Sequence, residues 1–286
     1  MSWTDRRRAF RALLAGPACV HPGSVYDPVS ARLAEDLGFE AGMFAGSIAA
    51  LAVLGSPDLV VLTLTEFAEQ IRRMSRATSR LPLLVDADHG YGNALSVMRT
   101  VQELEQAGVA ALTIEDTVLP RPYGDGATRL LSCEEGLGKI KAALAARSDP
   151  SLVIVARTSA VSVTGLDDAV ARARRYADAG ADAVFFTGVT SCDQLEAIRA
   201  EVKRPLILGG SEIDPAGLAG LGVRVALQGH QPFLAAVRAV HETLKALRDG
   251  VSPKNLKGLA SSELTGRVTR DKDVKARSAD FLGLRK

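Results

Sequence analysis

Cysteine is scarce in this chain of 286 residues: Cys19, Cys133 and Cys192 are odd in number and far apart. That usage argues against a disulfide framework and against a cysteine-based metal site. A basic tract is missing too, since 35 basic side chains balance 33 acidic ones, so nucleic acid is not an evident partner. No apolar run is long enough to span a membrane, and Arg11 interrupts what would have to be the apolar region of a signal peptide. We therefore predict a cytoplasmic protein.

The sequence does contain a repeated junction between a predicted helix and a predicted strand. Gly38, Gly108, Gly180 and Gly222 each close an amphipathic segment, and a glycine just past a helix can adopt the left-handed conformation that caps it. The apolar runs that follow are continuous instead of alternating, which indicates strands buried on both faces and therefore parallel. The predicted strands lie near 17–21, 40–45, 82–86, 109–115, 152–157, 182–187, 205–209 and 223–229.

Eight such strands, nearly all followed by a helix, predict an α/β fold of the (β/α)8 TIM-barrel type, with its active site at the C-terminal ends of the strands. A doubly wound open sheet is the alternative, but no Gly-x-Gly-x-x-Gly follows the first strand. We assign residues 1–250 to the barrel with an N-terminal lead-in helix, and residues 251–286 to a C-terminal helical extension. Lysine is missing from every predicted strand end, so a Schiff-base mechanism lacks its nucleophile.

Polar side chains follow the apolar runs directly at several predicted strand ends. They are Ser47 and Asp58 after the second strand, Asp86 and Asp88 at the third, Glu115 at the fourth, Arg157 at the fifth and His230 after the eighth, and Gly46 precedes Ser47. Asp86 and Asp88 alternate, so both point to the same face. Carboxylates gathered around one point require a cation, and Mg²⁺, or Mn²⁺, prefers oxygen ligands. Arg157 would complement a carboxylate, so a small polyanion is the expected substrate.

Each of these residues also has a structural interpretation. The aspartates could merely cap the next helix, and Arg157 could be an ion-pair partner for the same acids. His230 could cap the last helix, whose Pro232 suits its first turn. Arg121 and Tyr123, on a long loop after the fourth strand, could be lid residues or solvated loop residues.

Three segments together resemble the phosphoenolpyruvate mutase/isocitrate lyase superfamily. Residues 86–93 read Asp-Ala-Asp-His-Gly-Tyr-Gly-Asn, residues 114–116 read Ile-Glu-Asp, and Gly46-Ser47 precede both. The resemblance implies a (β/α)8 barrel, often with the eighth helix exchanged between the subunits of a homodimer or homotetramer. It also implies that Asp86 binds Mg²⁺ directly, that Asp58, Asp88 and Glu115 act mainly through waters, and that Gly46, Ser47 and Arg157 hold an α-keto acid.

The departures from the superfamily pattern narrow the expected activity. Residues 117–126 lack the cysteine and histidine that the lyases carry in a loop there, and they also lack the lysine and asparagine of the phosphonate-processing members. His89, Arg157 and Gly229-His230 are similar instead to the oxaloacetate decarboxylases of the superfamily. That likeness implies Mg²⁺-dependent decarboxylation of oxaloacetate to pyruvate and CO₂ through a metal-stabilised enolate, with His230 either orienting the departing carboxylate or protonating C3.

Two alternatives stay open. One is another carbon–carbon or carbon–phosphorus bond reaction on an α-keto acid, like that of methylisocitrate lyase or phosphonopyruvate hydrolase. The other is a non-catalytic barrel that binds small dicarboxylates.

Overall fold

The computed structural model describes residues 1–124, 126–210 and 213–284, and the chain divides into two compact units, Met1–His230 and Gln231–Lys286. The first unit contains eight parallel strands that pair in chain order. They are β1 (Gly23–Ser24), β2 (Gly42–Phe44), β3 (Leu83–Asp86), β4 (Ala111–Glu115), β5 (Val153–Thr158), β6 (Ala183–Phe186), β7 (Leu206–Leu208) and β8 (Val223–Ala226). The predicted (β/α)8 fold is confirmed.

The segment ahead of β1 joins the first strand to the last. Val20 accepts a hydrogen bond from Ala226 N at 3.0 Å and donates one to Arg224 O at 2.9 Å. Pairing with β2 starts only at Gly23, whose N–H donates to Ala41 O at 3.0 Å. The predicted first strand at 17–21 was therefore placed too early. Pro22 lies between the two pairings and has no N–H to continue a ladder.

Helices follow most of the strands of the first unit. They are α1 (Trp3–Ala15), α2 (Pro28–Asp36), α3 (Gly46–Ala49), which continues as a π-helix (Ala50–Leu54), α4 (Leu64–Ala77), α5 (Ala94–Ala107), α6 (Cys133–Ala146), α7 (Ala160–Val163), α8 (Leu166–Asp178), α9 (Cys192–Glu201) and α10 (Pro215–Leu218). Side chains cap several of them, for example Thr63 at α4 and Ser191 at α9, each with its partner three residues later in the sequence. The glycines at 38, 108, 180 and 222 all have positive φ.

Helix α1 covers the N-terminal end of the barrel. Its Phe10 and Leu14 are buried in the cluster that fills the barrel interior, with residues such as Leu84 and Ile207. Arg6 extends from α1 to the last turn of α4, and Arg7 and Arg11 extend to the chain just ahead of β4 and β5. Arg6 donates to Ser75 O at 2.7 Å, Arg7 to Val109 O at 3.1 Å and Arg11 to Leu152 O at 2.9 Å. The lead-in helix is thus an integral part of the fold.

The second unit is helical: α11 (Gln231–Arg248), a 3₁₀ turn (Pro253–Asn255), α12 (Ser262–Val268) and α13 (Asp271–Leu282). Helix α11 carries exposed apolar side chains at near-heptad spacing, namely Leu234, Val237, Val240, Leu244 and Leu247. Across the described residues, we find no helix with both the length and the apolar character needed to cross a membrane. The predicted division at residue 250 stays a prediction.

Candidate active site

Strand register brings the predicted acids and the arginine together. Asp86 is the last residue of β3 and Glu115 the last of β4. In the sheet Asp86 is paired with Thr113, and Glu115 is paired with Arg157 of β5. Three of the predicted site residues, on three adjacent strands, therefore meet at the C-terminal end of the barrel.

An ion pair between Asp86 and Arg157 lies at the centre. Arg157 Nη1 donates to Asp86 Oδ2, and Thr113 Oγ1 donates to Asp86 Oδ1 at 2.6 Å. Arg157 Nε is 3.4 Å from Glu115 Oε2 but has no hydrogen-bond partner among the described residues. The guanidinium also lies over the Phe185 ring, 5.3 Å from its centroid, a cation–π distance. These contacts fix Arg157 in place and leave its buried Nε–H without a hydrogen-bond acceptor among the described residues.

Asp88 is held by an unusual turn after β3. Its φ is +47° and that of Tyr91 is +60°, a left-handed conformation that only strong surroundings maintain outside glycine. Glu115 N donates to Asp88 O at 2.9 Å. A Cβ on Gly46 would lie 2.5 Å from both carboxylate oxygens of Asp88, so the glycine leaves the space that the carboxylate occupies.

The carboxylates repel one another. Burial, followed by the charges of Asp86 and Glu115, raises the pKa of Asp88 well above its usual range. Burial and Asp86 also raise the pKa of Glu115, although Arg157 opposes this, and the more exposed Asp58 has its pKa raised by burial and by Asp86. Burial acts to lower the pKa of Arg157, but the surrounding acids outweigh it and raise that pKa. The site has more negative charge than its arginine balances.

A cavity of about 400 Å³ opens between these acids. It is lined by Ser47, Asp58, Leu59, Val60, Asp86, Asp88, Glu115, Leu119, Pro120, Arg121 and Arg157. All four predicted metal-binding acids therefore contribute to one cavity.

The loop after β4 forms one wall of that cavity. Its base is held like a hairpin, since Thr117 bridges Leu130 and Val118 N donates to Arg129 O at 2.8 Å. Arg121 lines the cavity, whereas the Tyr123 side chain is fully exposed. From the sequence, Arg121 and Tyr123 have the same two possible roles, but the structure places them in different surroundings.

The donor set fits a hard divalent cation. The four acids offer only oxygen ligands and are destabilised by their mutual repulsion, which a cation would relieve. No three of the His, Cys, Asp and Glu side chains in the described ranges converge closely enough to hold an ion unaided. A cation that keeps several of its waters does not need such convergence, because most acids then bind it through water.

His230 lies on the other side of the Asp86–Arg157 pair. Its Nδ1 is 3.1 Å from Ser24 Oγ and its Nε2 is 3.4 Å from Ser47 Oγ. Burial lowers the pKa of His230, although Asp86 and Asp58 act to raise it.

A second, smaller cavity of about 200 Å³ includes His230, Asp86, Arg157 and Ser47 in its lining. The predicted catalytic and substrate-binding residues thus surround two adjoining cavities that share the ion pair.

Some residues of the site were missed by sequence reasoning. Thr113, Ser24 and Phe185 contact Asp86, His230 and Arg157 respectively, as described above. A hydroxyl inside the apolar run 109–114 was a usable signal for Thr113, because it is the one polar side chain there. Ser24 offered none, since its contact with His230 depends on the closure of the barrel, and the contact of Phe185 with Arg157 depends on the register between β5 and β6.

His89 follows Asp88 directly in the turn after β3, and Lys139 contacts that turn. Lys139, on α6, is buried and donates to His89 O at 2.9 Å. Burial, reinforced by the Lys139 charge, lowers the pKa of His89 to about 4. Neither residue lines the two cavities. Nothing in the sequence indicated that Lys139 contacts the turn that carries Asp88.

Comparison with known proteins agrees with this geometry. The model of the phosphoenolpyruvate phosphomutase family matches residues 10–248, and the chain belongs to that family. Within it, the chain is 61% identical to the oxaloacetate decarboxylase of Bradyrhizobium diazoefficiens and 59% identical to that of Rhodopseudomonas palustris strain BisB18, in both cases over 100% of the two chains.

Solved structures of the superfamily superpose closely. Phosphonopyruvate hydrolase, solved in complex with oxalate and Mg²⁺, gives a TM-score of 0.85 at 31% identity, covering 99% of this chain and 100% of that chain. Oxaloacetate acetylhydrolase with the inhibitor 3,3-difluorooxalacetate gives a TM-score of 0.86 at 27% identity, covering 99% and 98%.

Proposed function

We propose that this chain is a cytoplasmic, Mg²⁺-dependent oxaloacetate decarboxylase that forms pyruvate and CO₂. The observation that carries the proposal is the Asp86–Arg157 pair, with an acid-lined cavity on one side and His230 on the other. The relatives named oxaloacetate decarboxylase support the same activity.

Asp86 would bind the divalent cation directly, with Asp58, Asp88 and Glu115 acting mainly through waters. When bound, the cation supplies a Lewis acid that draws electrons toward the C2 carbonyl of the substrate. Gly46 and Ser47 supply backbone groups for the α-keto acid at the start of α3, beside the Asp88 carboxylate.

Arg157 stabilises the charge that develops during the reaction. When the C3–C4 bond breaks, C4 leaves as CO₂ and the bonding electrons move toward the C2 oxygen, giving the enolate of pyruvate. A fixed guanidinium beside that oxygen needs no reorganisation as charge develops, which is why such groups contribute strongly to catalysis. The buried Nε of Arg157 lies 3.4 Å from Glu115 Oε2 but has no hydrogen-bond partner among the described residues, so it is an available donor for this role.

His230 acts at the reacting end of the substrate. Its lowered pKa favours the neutral imidazole at neutral pH, and each ring nitrogen faces a serine hydroxyl. In that form it can orient the departing carboxylate, whereas delivery of the proton that C3 must gain to complete pyruvate requires the imidazolium form of His230.

Substrate comparison tests the activity. Purified protein with Mg²⁺ should release pyruvate from oxaloacetate faster than a blank with the same metal concentration, and EDTA should abolish the difference. Methylisocitrate and phosphonopyruvate are the matched alternatives. Faster turnover of either would replace the proposed reaction, whereas binding of oxalate without any turnover would indicate a dicarboxylate-binding barrel.

Substitution of His230 tests its role. His230→Ala should lower kcat by about 10²–10⁴-fold, the usual contribution of a positioned acid–base group, while oxalate binds with similar affinity. Full activity in His230→Gln with none in His230→Ala would indicate positioning, and loss in both would favour proton transfer. Normal kcat with reduced thermal stability would make His230 a helix cap.

We also propose that the protein is a homodimer or homotetramer, with α11 exchanged between subunits. The exposed apolar side chains of α11 support this, because a contiguous apolar surface favours burial in an assembly. Light scattering should give a mass of two or four chains, and Leu244→Glu should lower it. A monomeric wild-type protein would contradict the proposal.

A further inference from the structure

The turn at residues 87–90 is held by hydrogen bonds to several surrounding elements. The main chain of β4 contributes two: Ala87 N donates to Thr113 O at 3.3 Å, and Glu115 N donates to Asp88 O at 2.9 Å. The other two come from helix side chains, because Thr100 Oγ1 donates to Gly90 O at 3.0 Å and Lys139 Nζ donates to His89 O at 2.9 Å. Every residue of the turn is therefore anchored.

Lys139 is the unexpected member of this set. Only 4% of it is exposed, and no other lysine in the described part of the chain is buried. Burying an amine is costly unless its hydrogen bonding and charge are compensated. Burial lowers the pKa of Lys139, and the charges of Glu135, Glu115 and Asp116 oppose this only in part. The hydrogen bond to the His89 carbonyl is the contact that satisfies the buried amine. A helix needs no such residue at a core position, where an apolar side chain would pack as well.

The geometry of Asp88 shows what depends on this anchor. Asp88 precedes His89 directly and has a left-handed backbone conformation, which persists only where the surroundings maintain it. Its carboxylate occupies the space that a side chain on Gly46 would fill. A small relaxation of the His89 peptide would therefore rotate Asp88 away from the acid-lined cavity.

We infer that Lys139 is a positioning residue for the cation site: by holding the His89 carbonyl, it fixes the turn that directs Asp88 into the cavity. The inference rests on the proposed function, because it assumes that the acids bind a divalent cation. It assigns a role to a residue that touches neither substrate nor metal.

Direct titration with Mn²⁺ tests this inference without using turnover. Metal-free wild-type protein, Lys139→Met and Lys141→Met are titrated with Mn²⁺, and free Mn²⁺ is measured by electron paramagnetic resonance. Lys141 is the matched control, since it lies on the same helix but is exposed. Lys139→Met should bind Mn²⁺ about 10–100-fold more weakly, the typical effect of losing a group that orients a ligand, and Lys141→Met should bind as the wild type does.

Thermal melting of the same three proteins shows whether the fold is kept. Mn²⁺ affinity of folded Lys139→Met within about twofold of wild type would overturn the inference. If that variant does not fold, Lys139→Gln replaces it and the same weakening is expected, with unchanged affinity overturning the inference. Failure of both variants to fold would make Lys139 a residue of general stability and would also overturn it.

The wild-type result separates this inference from the proposed function. Mn²⁺ binding without decarboxylation of oxaloacetate would contradict the proposed function and leave the role of Lys139 intact. A wild-type protein that binds no Mn²⁺ would contradict both.

Discussion

The two ends of the barrel both bury charged groups, but they balance the charge differently. At the N-terminal end Arg7 pairs with Asp149 at 2.8 Å, and Arg11 pairs with Asp182 at 3.0 Å. At the C-terminal end four acids share one cavity, which Arg157 and the exposed Arg121 also line.

The pKa values follow this difference. Desolvation acts to raise the pKa of Asp149, but hydrogen bonds from Ser151 and Arg7 outweigh it, so the pKa is lowered. At the other end the pKa of Asp88 is raised by burial and by neighbouring acids. A balanced network contributes to stability, whereas an unbalanced one costs free energy unless a ligand relieves it. The comparison therefore separates residues that stabilise the fold from the residues that we propose to act in the reaction.

The largest expected effect is at the C-terminal end. Asp86→Asn keeps the shape and the hydrogen bond from Thr113 but removes the negative charge. We expect kcat/KM to fall roughly 10³-fold or more, because the Lewis-acid contribution is worth several kcal/mol. Circular dichroism and thermal melting should show a folded protein of similar stability. If Asp86→Asn lost stability and kept its activity, Asp86 would be a residue that stabilises the fold, which would contradict the comparison.

At the N-terminal end the matching change should affect stability alone. Arg7→Met removes the ion pair with Asp149 and the hydrogen bonds to Val109 O and Glu105 O. We expect a loss of about 3–5 kcal/mol in the free energy of unfolding, typical of breaking a buried pair. Denaturant unfolding measures this loss, with the exposed Arg8→Met as control. Activity per folded molecule should not change, and a reduced kcat would show that the two ends are coupled.

A smaller effect, on the affinity for oxalate, is expected from a substitution of Arg157 that keeps the positive charge but changes the shape of the side chain. Arg157→Lys loses the planar, forked guanidinium that matches a carboxylate or enolate. Affinity for oxalate should fall by about 1.5–3 kcal/mol, the contribution of a hydrogen bond to a charged group. An inhibition assay or calorimetry measures it. Unchanged oxalate binding would assign Arg157 to a structural role like that of the arginines of α1.

The smallest effect concerns acid stability. The pKa of Asp149 is lower in the folded protein than the value near 3.9 of an unfolded chain. Its contribution to stability is therefore complete above about pH 4 and is lost as the pH falls toward the folded pKa. Unfolding free energies at neutral pH and near pH 3 should differ less in Asp149→Asn than in the wild type. An equal difference would mean that other acids control acid unfolding.

The sequence predicted features that depend on neighbouring residues in the chain. An apolar run that stops at Asp86 or Glu115 marks both a buried strand and the polar group at its end, so strands and acids were placed together. Helix starts such as Thr63 were equally predictable, because a capping side chain and its partner are three residues apart.

Side-chain contacts that depend on closure of the barrel, or on which face a helix turns toward the barrel, could not be predicted from the sequence. Ser24 reaches His230 only because the first and last strands meet. Lys139 reaches His89 only because α6 turns that face toward β3. The arginines of α1 looked like the polar face of a lead-in helix, since their acceptors are main-chain carbonyls distant in sequence.

The central claim is that the unbalanced end of the barrel binds a divalent cation through Asp86. Thermal melting with and without Mg²⁺, on wild type and Asp86→Asn side by side, tests it most directly. Saturation at about 100 times Kd adds about 2.7 kcal/mol to wild-type stability, which should raise Tm by roughly 5–10 °C for a unit of this size. The account predicts this rise in the wild type and almost none in Asp86→Asn. No rise in the wild type, or an equal rise in both proteins, would contradict it.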